Sequence, residues 1–183
     1  MSKAIYFDID RCIGCFACQS ACKQENDLAP HTLEEALSQT APIWRRVMEV
    51  EQGDYGQETV SYISLSCMHC ADAPCVIACP TGALSRDKES GRVVVNESKC
   101  IGCKMCLQAC PFGIPQYGKD DLMQKCNLCL DRLQDGEAEP ACVASCPAKA
   151  LRYGDTAELS KKEQTKVAAR LVLATGNKYS AGI

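Results

Sequence analysis

The chain of 183 residues has no apolar run approaching the roughly 18 residues that a membrane-spanning helix needs, so a direct span is not expected. It opens MSKAIYFDIDRC and reaches its first cysteine without the apolar stretch of an export signal, so its thiols are expected to start out reduced, in cytoplasm. That absence argues against a disulfide scaffold. Basic runs are missing as well: 20 Lys and Arg stand against 23 Asp and Glu, with a formal charge of −3, and a nucleic-acid partner is not expected. Aromatics make up only 5% of the chain, with one Trp, and His occurs twice. No nucleophile with a base, glycine-rich phosphate loop or dinucleotide fingerprint is present, and no residue is assigned a catalytic role.

What the chain does have is 16 cysteines, and they fall into four groups of four with none left over. The first group is Cys12, Cys15, Cys18 and Cys22; the second Cys67, Cys70, Cys75 and Cys79; the third Cys100, Cys103, Cys106 and Cys110; the fourth Cys126, Cys129, Cys142 and Cys146. Every group opens CxxC and closes CxxxC, and only the middle gap varies. Pro80, Pro111 and Pro147 follow three of the closing cysteines, and Lys23 follows the first. The first and third groups, CIGCFACQSAC and CIGCKMCLQAC, are a repeat, led in by FDIDR and VNESK.

Spacing decides between metals. A structural zinc ion is satisfied by two thiolates from each of two knuckles. Here three thiolates arrive from one curled loop, which suits the corners of a cube. CxxCxxCxxxCP is the bacterial ferredoxin run, whose fourth cysteine serves the other cluster of a pair. Gly14 and Gly102 suit such a loop, because a residue without Cβ takes positive φ and brings backbone N–H groups toward sulfur. A zinc-bound scaffold is the alternative and predicts a colourless protein.

CPTGAL and CPAKAL, residues 79–84 and 146–151, read as matching exits into short strands, and AIYFDI and RVVV as the strands that lead in. The expected fold is therefore α+β: two interlocked bacterial-ferredoxin-like modules, each with two 4Fe-4S clusters, short helices and small antiparallel strands. The second and third groups form an inserted module over 60–118. The first and fourth form an outer module from 1–59 and 119–154, with 30–59 as an insertion, and 155–183 supplies a C-terminal helix and a partner-binding tail. Crossing of the fourth ligands predicts four sets: Cys12, Cys15, Cys18 and Cys146; Cys126, Cys129, Cys142 and Cys22; Cys67, Cys70, Cys75 and Cys110; and Cys100, Cys103, Cys106 and Cys79.

The rest of the chain reads more coarsely. HTLEEALSQ has Thr32 and Glu35 at capping-box spacing, so a short helix is expected there. WRRVMEVEQGDYGQETVSYISL predicts a hairpin with Gly53 and Gly56 in its turn and Trp44 as a packing or interface anchor. A C-terminal helix is expected from Asp155 or Thr156, stopped at Gly176, with NKYSAGI lying on a partner. His69, inside CMHC, is expected to make a hydrogen bond or face solvent, and His31 to lie on the surface. Asp131 and Arg132 are expected to form a local ion pair.

Taken with CMHCADAPC, CPTGAL, CIGCKMCLQACPFGIPQY and KCNLCLDR, the four groups resemble the four-cluster iron–sulfur subunits of the dimethyl sulfoxide reductase family, over about 3–160. The resemblance implies four 4Fe-4S clusters and a molybdenum or tungsten pterin catalytic partner. It also implies relay of electrons to a membrane anchor subunit or a soluble acceptor, in cytoplasm or, after co-export with a signal-bearing partner, in periplasm. The alternative is a free-standing polyferredoxin or the small electron-transfer subunit of a hydrogenase-linked complex.

Overall fold

The computed structural model describes residues 3–28, 42–118 and 120–174. In chain order its elements are β1 (Lys3–Phe7), α1 (Ala17–Glu25), β2 (Arg46–Gln52), β3 (Thr59–Leu65), α2 (Pro74–Ile77), β4 (Leu84–Arg86), β5 (Val93–Val95), α3 (Met105–Ala109), β6 (Gln116–Tyr117), β7 (Met123–Gln124), α4 (Leu130–Gln134), α5 (Ala141–Ala144), β8 (Leu151–Asp155) and α6 (Thr156–Ala174). The sheets are two-stranded and antiparallel: β1 with β8, β2 with β3, β4 with β5, and β6 with β7. The helix expected around Thr32, the surface position of His31, the Gly176 stop and the tail lie outside the described residues.

The sequence repeat is a structural repeat. β1 runs into a single 3-10 turn, Ile9–Arg11, where the Asp8 carboxylate accepts from the Asp10 N–H at 3.3 Å. β5 runs into the matching turn, Glu97–Lys99, where Asn96 accepts from the Ser98 N–H at 3.1 Å. The capping residues also donate to equivalent places: the Asp8 N–H to the Ala150 carbonyl and the Asn96 N–H to the Ala83 carbonyl, both at 2.8 Å. Each lead-in strand is thus closed by the strand that leaves a distant or neighbouring cysteine group, Phe7 facing Leu151 in one pair and Val95 facing Leu84 in the other.

Two small cores result. One gathers Cys18, Val47, Cys142, Val143, Cys146, Ala150 and Leu151; the other gathers Ala73, Leu84, Val93, Cys106 and Met123. Cysteines make up three of the seven residues of the first core, and Cys70, Cys75, Cys79 and Cys100 pack against the second, as a short chain with few aromatics requires. The β2–β3 hairpin turns through Gly53 and Gly56, both at positive φ, and lays Val47 on the first core. The Gln116 side-chain amide bonds the backbone of Ile43 in both directions, its Nε2 donating to the carbonyl at 2.7 Å, which ties the approach to the hairpin to β6.

Helix α6 begins where the Asp155 carboxylate accepts from the Ala157 N–H at 2.9 Å. Ion pairs hold it to the first turn: Lys166 reaches the buried Asp8 at 2.6 Å and Asp10 at 3.4 Å, while Arg152 spans Asp8 at 3.6 Å and Glu163 at 2.8 Å. Asp131 is not the partner of Arg132. That guanidinium pairs with Glu25 at 3.1 Å and Glu137 at 3.2 Å, and donates to the Glu139 carbonyl at 3.0 Å. The physical reason is helical: neighbouring residues of α4 project in different directions and do not face one another.

Gly102 stands at φ +65°, and a Cβ there would meet the Asp121 carbonyl at 2.7 Å, whereas Gly82 stands at φ +63° with open space around it. Gly82→Ala is therefore expected to cost about 1–3 kcal/mol for the left-handed backbone alone. Gly102→Ala adds the clash and should melt lower than Gly82→Ala in thermal denaturation of the cluster-loaded chain. Equal melting temperatures would show that the Asp121 segment gives way.

Candidate metal centres

In all four groups the residue just before the second cysteine takes positive φ: Gly14 at 66°, His69 at 47°, Gly102 at 65° and Leu128 at 62°. The left-handed residue curls each CxxC so that its thiols and the following amides turn inward. Glycine does this without strain; His69 and Leu128 do it at a cost held by their burial. The Leu128 N–H points at Cys126 Sγ at 3.4 Å, and similar amide contacts come from Ala150 to Cys146 Sγ at 3.3 Å and from Met123 to Cys100 Sγ at 3.5 Å.

All sixteen thiols are free, and they stand together in fours. One cavity is lined by Cys12, Cys15, Cys18 and Cys146, a second by Cys67, Cys70, Cys75 and Cys110, and a third by Cys79, Cys100, Cys103 and Cys106. Cys22 lies among Cys126, Cys142 and Cys129, whose charges oppose its ionisation. Among the described residues no three His, Cys, Asp or Glu side chains converge closely enough for a single metal ion. The thiols ring spaces instead of meeting at a point, which fits a cluster whose four irons each take one thiolate.

Short helices explain the sorting. Cys18 and Cys22 are one turn apart on α1, so their sulfurs stand roughly 6 Å apart along the axis and face different sets. The other three helices each carry one thiol and end before the next: Cys75 of α2 precedes Cys79, Cys106 of α3 precedes Cys110, and Cys142 of α5 precedes Cys146. Helix α1 packs on α5 and α2 on α3, so each helix pair stands between two thiol sets.

Burial pushes the Cys142 and Cys67 thiols up to about 11 each, with Arg45 opposing the rise at the first and Lys125 at the second. Ionising thiols at such sites requires cations, and iron supplies them with release of the protons. Cys79 goes the other way. Burial raises it, but the amides of Leu84, Thr81 and Ala83 and the Thr81 hydroxyl outweigh burial and hold it below the ordinary thiol value. That cradle of donors around one sulfur is built for a thiolate.

Hydroxyl and amide groups reach other sulfurs. Tyr117 meets Cys106 Sγ at 3.0 Å, Ser64 meets Cys18 Sγ at 3.6 Å, and Asn26 Nδ2 donates to Cys22 Sγ at 3.8 Å. His69 makes the hydrogen bond expected of it: its Nδ1 accepts from the Val93 N–H at 3.0 Å, and burial, then Lys125 and Arg92, pull its pKa down to about 3. Trp44 is half-buried, and its indole N–H has no hydrogen-bond partner among the described residues. Sequence reasoning missed Arg45, Lys125, Ser64 and Tyr117. The available signal was weak: Tyr62, Ser64 and Ser66 alternate along β3 and its end, so they share one face.

Comparison with known proteins agrees with this chemistry. Two 4Fe-4S dicluster domains match, over residues 58–156 and 11–83. An anaerobic dimethyl sulfoxide reductase chain of Escherichia coli (strain K12) is 40% identical over 166 residues, 86% of this chain and 75% of that one. The chain thus belongs to this family of iron–sulfur electron-transfer subunits. Thiosulfate reductase electron transfer subunit PhsB of Salmonella typhi is 43% identical over 161 residues, 84% of this chain and 77% of its own. A sulfite dehydrogenase subunit of Allochromatium vinosum is 37% identical over 164 residues, 83% and 68% of the two chains. Family membership gives this chain two ferredoxin-like dicluster domains in a mixed helix and strand fold, and four 4Fe-4S clusters.

With a cluster in place, only the Tyr117 hydroxyl can donate in its bond to Cys106. Tyr117→Phe removes a hydrogen bond to one ligand sulfur and is expected to lower one of the four midpoint potentials, leaving three unchanged, in a redox titration followed by electron paramagnetic resonance. Four unchanged potentials would show that the bond does not form in the loaded protein.

Proposed function

We propose that the chain relays single electrons between a molybdenum or tungsten pterin catalytic subunit and a second redox partner, either a membrane anchor subunit or a soluble acceptor. When bound, 4Fe-4S clusters supply one-electron carriers, with potentials spanning roughly −700 to +450 mV. The protein's share is to hold the thiolates, exclude water and place charge. Our reading assigns one cluster to each thiol set, with the closing cysteine of every group serving the partner group's cluster. It assigns residues 60–118 to an inserted module and 1–59 with 119–154 to the outer one.

The observation that carries the proposal is the order and exposure of the thiol sets. The Cys12 set adjoins the Cys126 set through α1 and α5, the charge of Cys126 is felt at Cys67, and the Cys67 set adjoins the Cys100 set through α2 and α3. The outer members of that row hold the two exposed cysteines, Cys15 and Cys103. Beside them stand exposed apolar side chains, Ile13 and Phe16 at one end and Ile101 and Met105 at the other. A row whose two exposed cysteines lie at its ends, with the buried Cys126 set between them, suits a conductor between two partners. Exposed apolar residues beside a cofactor mark surfaces that a partner covers.

Anaerobically purified protein is expected to hold about 16 iron and about 16 acid-labile sulfide per chain. It should carry negligible zinc and copurify with a stoichiometric pterin-bearing large subunit. About 8 iron after full reconstitution would overturn the four-cluster assignment, and a monomer in good yield would favour a free-standing carrier. Cys146→Ser is expected to perturb the cluster of Cys12, Cys15 and Cys18. Loss confined to the Cys126 and Cys129 cluster would reject the crossing.

A further inference from the structure

Arg45 is 2% exposed, yet among the described residues it has no ion pair with a carboxylate. Its hydrogen-bond partners are neutral: Nη1 donates to Ser64 Oγ at 3.0 Å and Nη2 to Ser66 Oγ at 2.6 Å. A guanidinium stays charged, and a buried charge without counter-charge is costly. The anions within its reach are thiolates. Ser64 Oγ also meets Cys18 Sγ at 3.6 Å, Cys18 shares a core with Cys142, and the guanidinium charge is felt at the Cys142 thiol. Cys142, Cys126, Cys18 and Cys22 together hold Arg45 above its ordinary value although burial pulls the other way. Those four cysteines belong to two neighbouring thiol sets. Arg46, the next residue, is exposed on the other face of the strand.

We propose that Arg45 is a potential-setting residue: its buried guanidinium, linked through Ser64 to Cys18 in the core that Cys18 shares with Cys142, raises the reduction potentials of both adjoining clusters. These are the cluster of Cys12, Cys15, Cys18 and Cys146 and the cluster of Cys22, Cys126, Cys129 and Cys142, so the inference rests on the ligand sets proposed above. The electron that reduces either cluster adds one negative charge. A fixed cation in low-dielectric surroundings stabilises that charge and leaves the oxidised form less favoured. Held between two neighbours, the same cation acts on both, which keeps adjacent steps of the relay close in energy. The other two clusters lie beyond this contact and serve as internal controls.

The test is a redox titration, followed by electron paramagnetic resonance, of the full-length, cluster-loaded Arg45→Gln protein together with its copurifying subunit. Two of the four midpoint potentials are expected to fall by at least a tenfold change in the one-electron equilibrium, about 59 mV each, with the other two unmoved. Arg45→Lys, which keeps the charge, should recover half or more of the shift. Unmoved potentials, an equal shift in all four clusters, or a Lys variant as low as the Gln variant would each overturn the proposal. If Arg45→Gln fails to retain its clusters, Ser64→Ala decides: one potential, that of the Cys18 cluster, should fall, and no change would overturn the link. Iron near the four-cluster value in the unsubstituted protein separates failure of this inference from failure of the ligand assignment.

Discussion

One turn of helix separates the two thiols of every CxxxC, and the structure is organised around that distance. A shorter step would turn both sulfurs into one cavity; a longer one would carry the second away from any neighbour. Helix α1 carries both of its thiols, while α2, α3 and α5 carry one each and deliver the second just past their ends; packing α1 on α5 and α2 on α3 sets the thiol sets side by side. The strands follow from the same need. Once a chain segment has delivered its thiols, β8 returns to β1 and β4 to β5, closing each loop with a few backbone hydrogen bonds. Little apolar surface remains, so the cysteines themselves fill much of both cores.

Gathering thiols out of water makes their ionisation expensive, and the protein answers with charge and with donors. Cys79 is held by amides and the Thr81 hydroxyl; Cys106 meets Tyr117; two buried cations, Arg45 and Lys125, are 2% and 4% exposed. Lys125 lines the cavity of the Cys67 set and donates to the Cys126 carbonyl at 3.1 Å, so it too stands between neighbouring sets. Buried lysine and arginine are rarely left without carboxylate partners. Here thiolates take the place of carboxylates, and the same pairing that stabilises the folded protein biases the electron affinity of whatever those thiolates hold.

Much of this could be read from the sequence because cysteine spacing encodes geometry directly. Three thiols in seven residues cannot spread along a strand or a helix, and CxxxC followed by proline marks a helix about to end. The hairpin turn was legible from Gly53 and Gly56 for the same reason, since positive φ favours glycine. The positive φ of His69 and Leu128 was not legible, because nothing in either side chain announces it. Arg45 was hidden differently. WRRV reads as a polar start to a strand, and only the register of β2, which buries Val47 and exposes Arg46, turns the first arginine inward. Arg132 shows the converse error, where adjacency in sequence suggested a partner that helical geometry denies.

Charge and exposure divide the row of thiol sets into two kinds. All four cysteines of the Cys126 set are buried, with Arg45 and Lys125 beside them, while those of the Cys67 set are half-buried. The outer sets hold Cys15 and Cys103 at the surface. Water and partner charges reach the outer sets, so docking a second subunit against Ile13 and Phe16 or against Ile101 and Met105 changes their surroundings far more than those of the inner pair. Arg45 and Lys125 are charges that the chain itself supplies to such a relay, and through Ser64 Arg45 reaches an outer set as well as an inner one. The terminal steps also answer to whatever covers them, because a partner's charge and its exclusion of water act most strongly on the exposed ends.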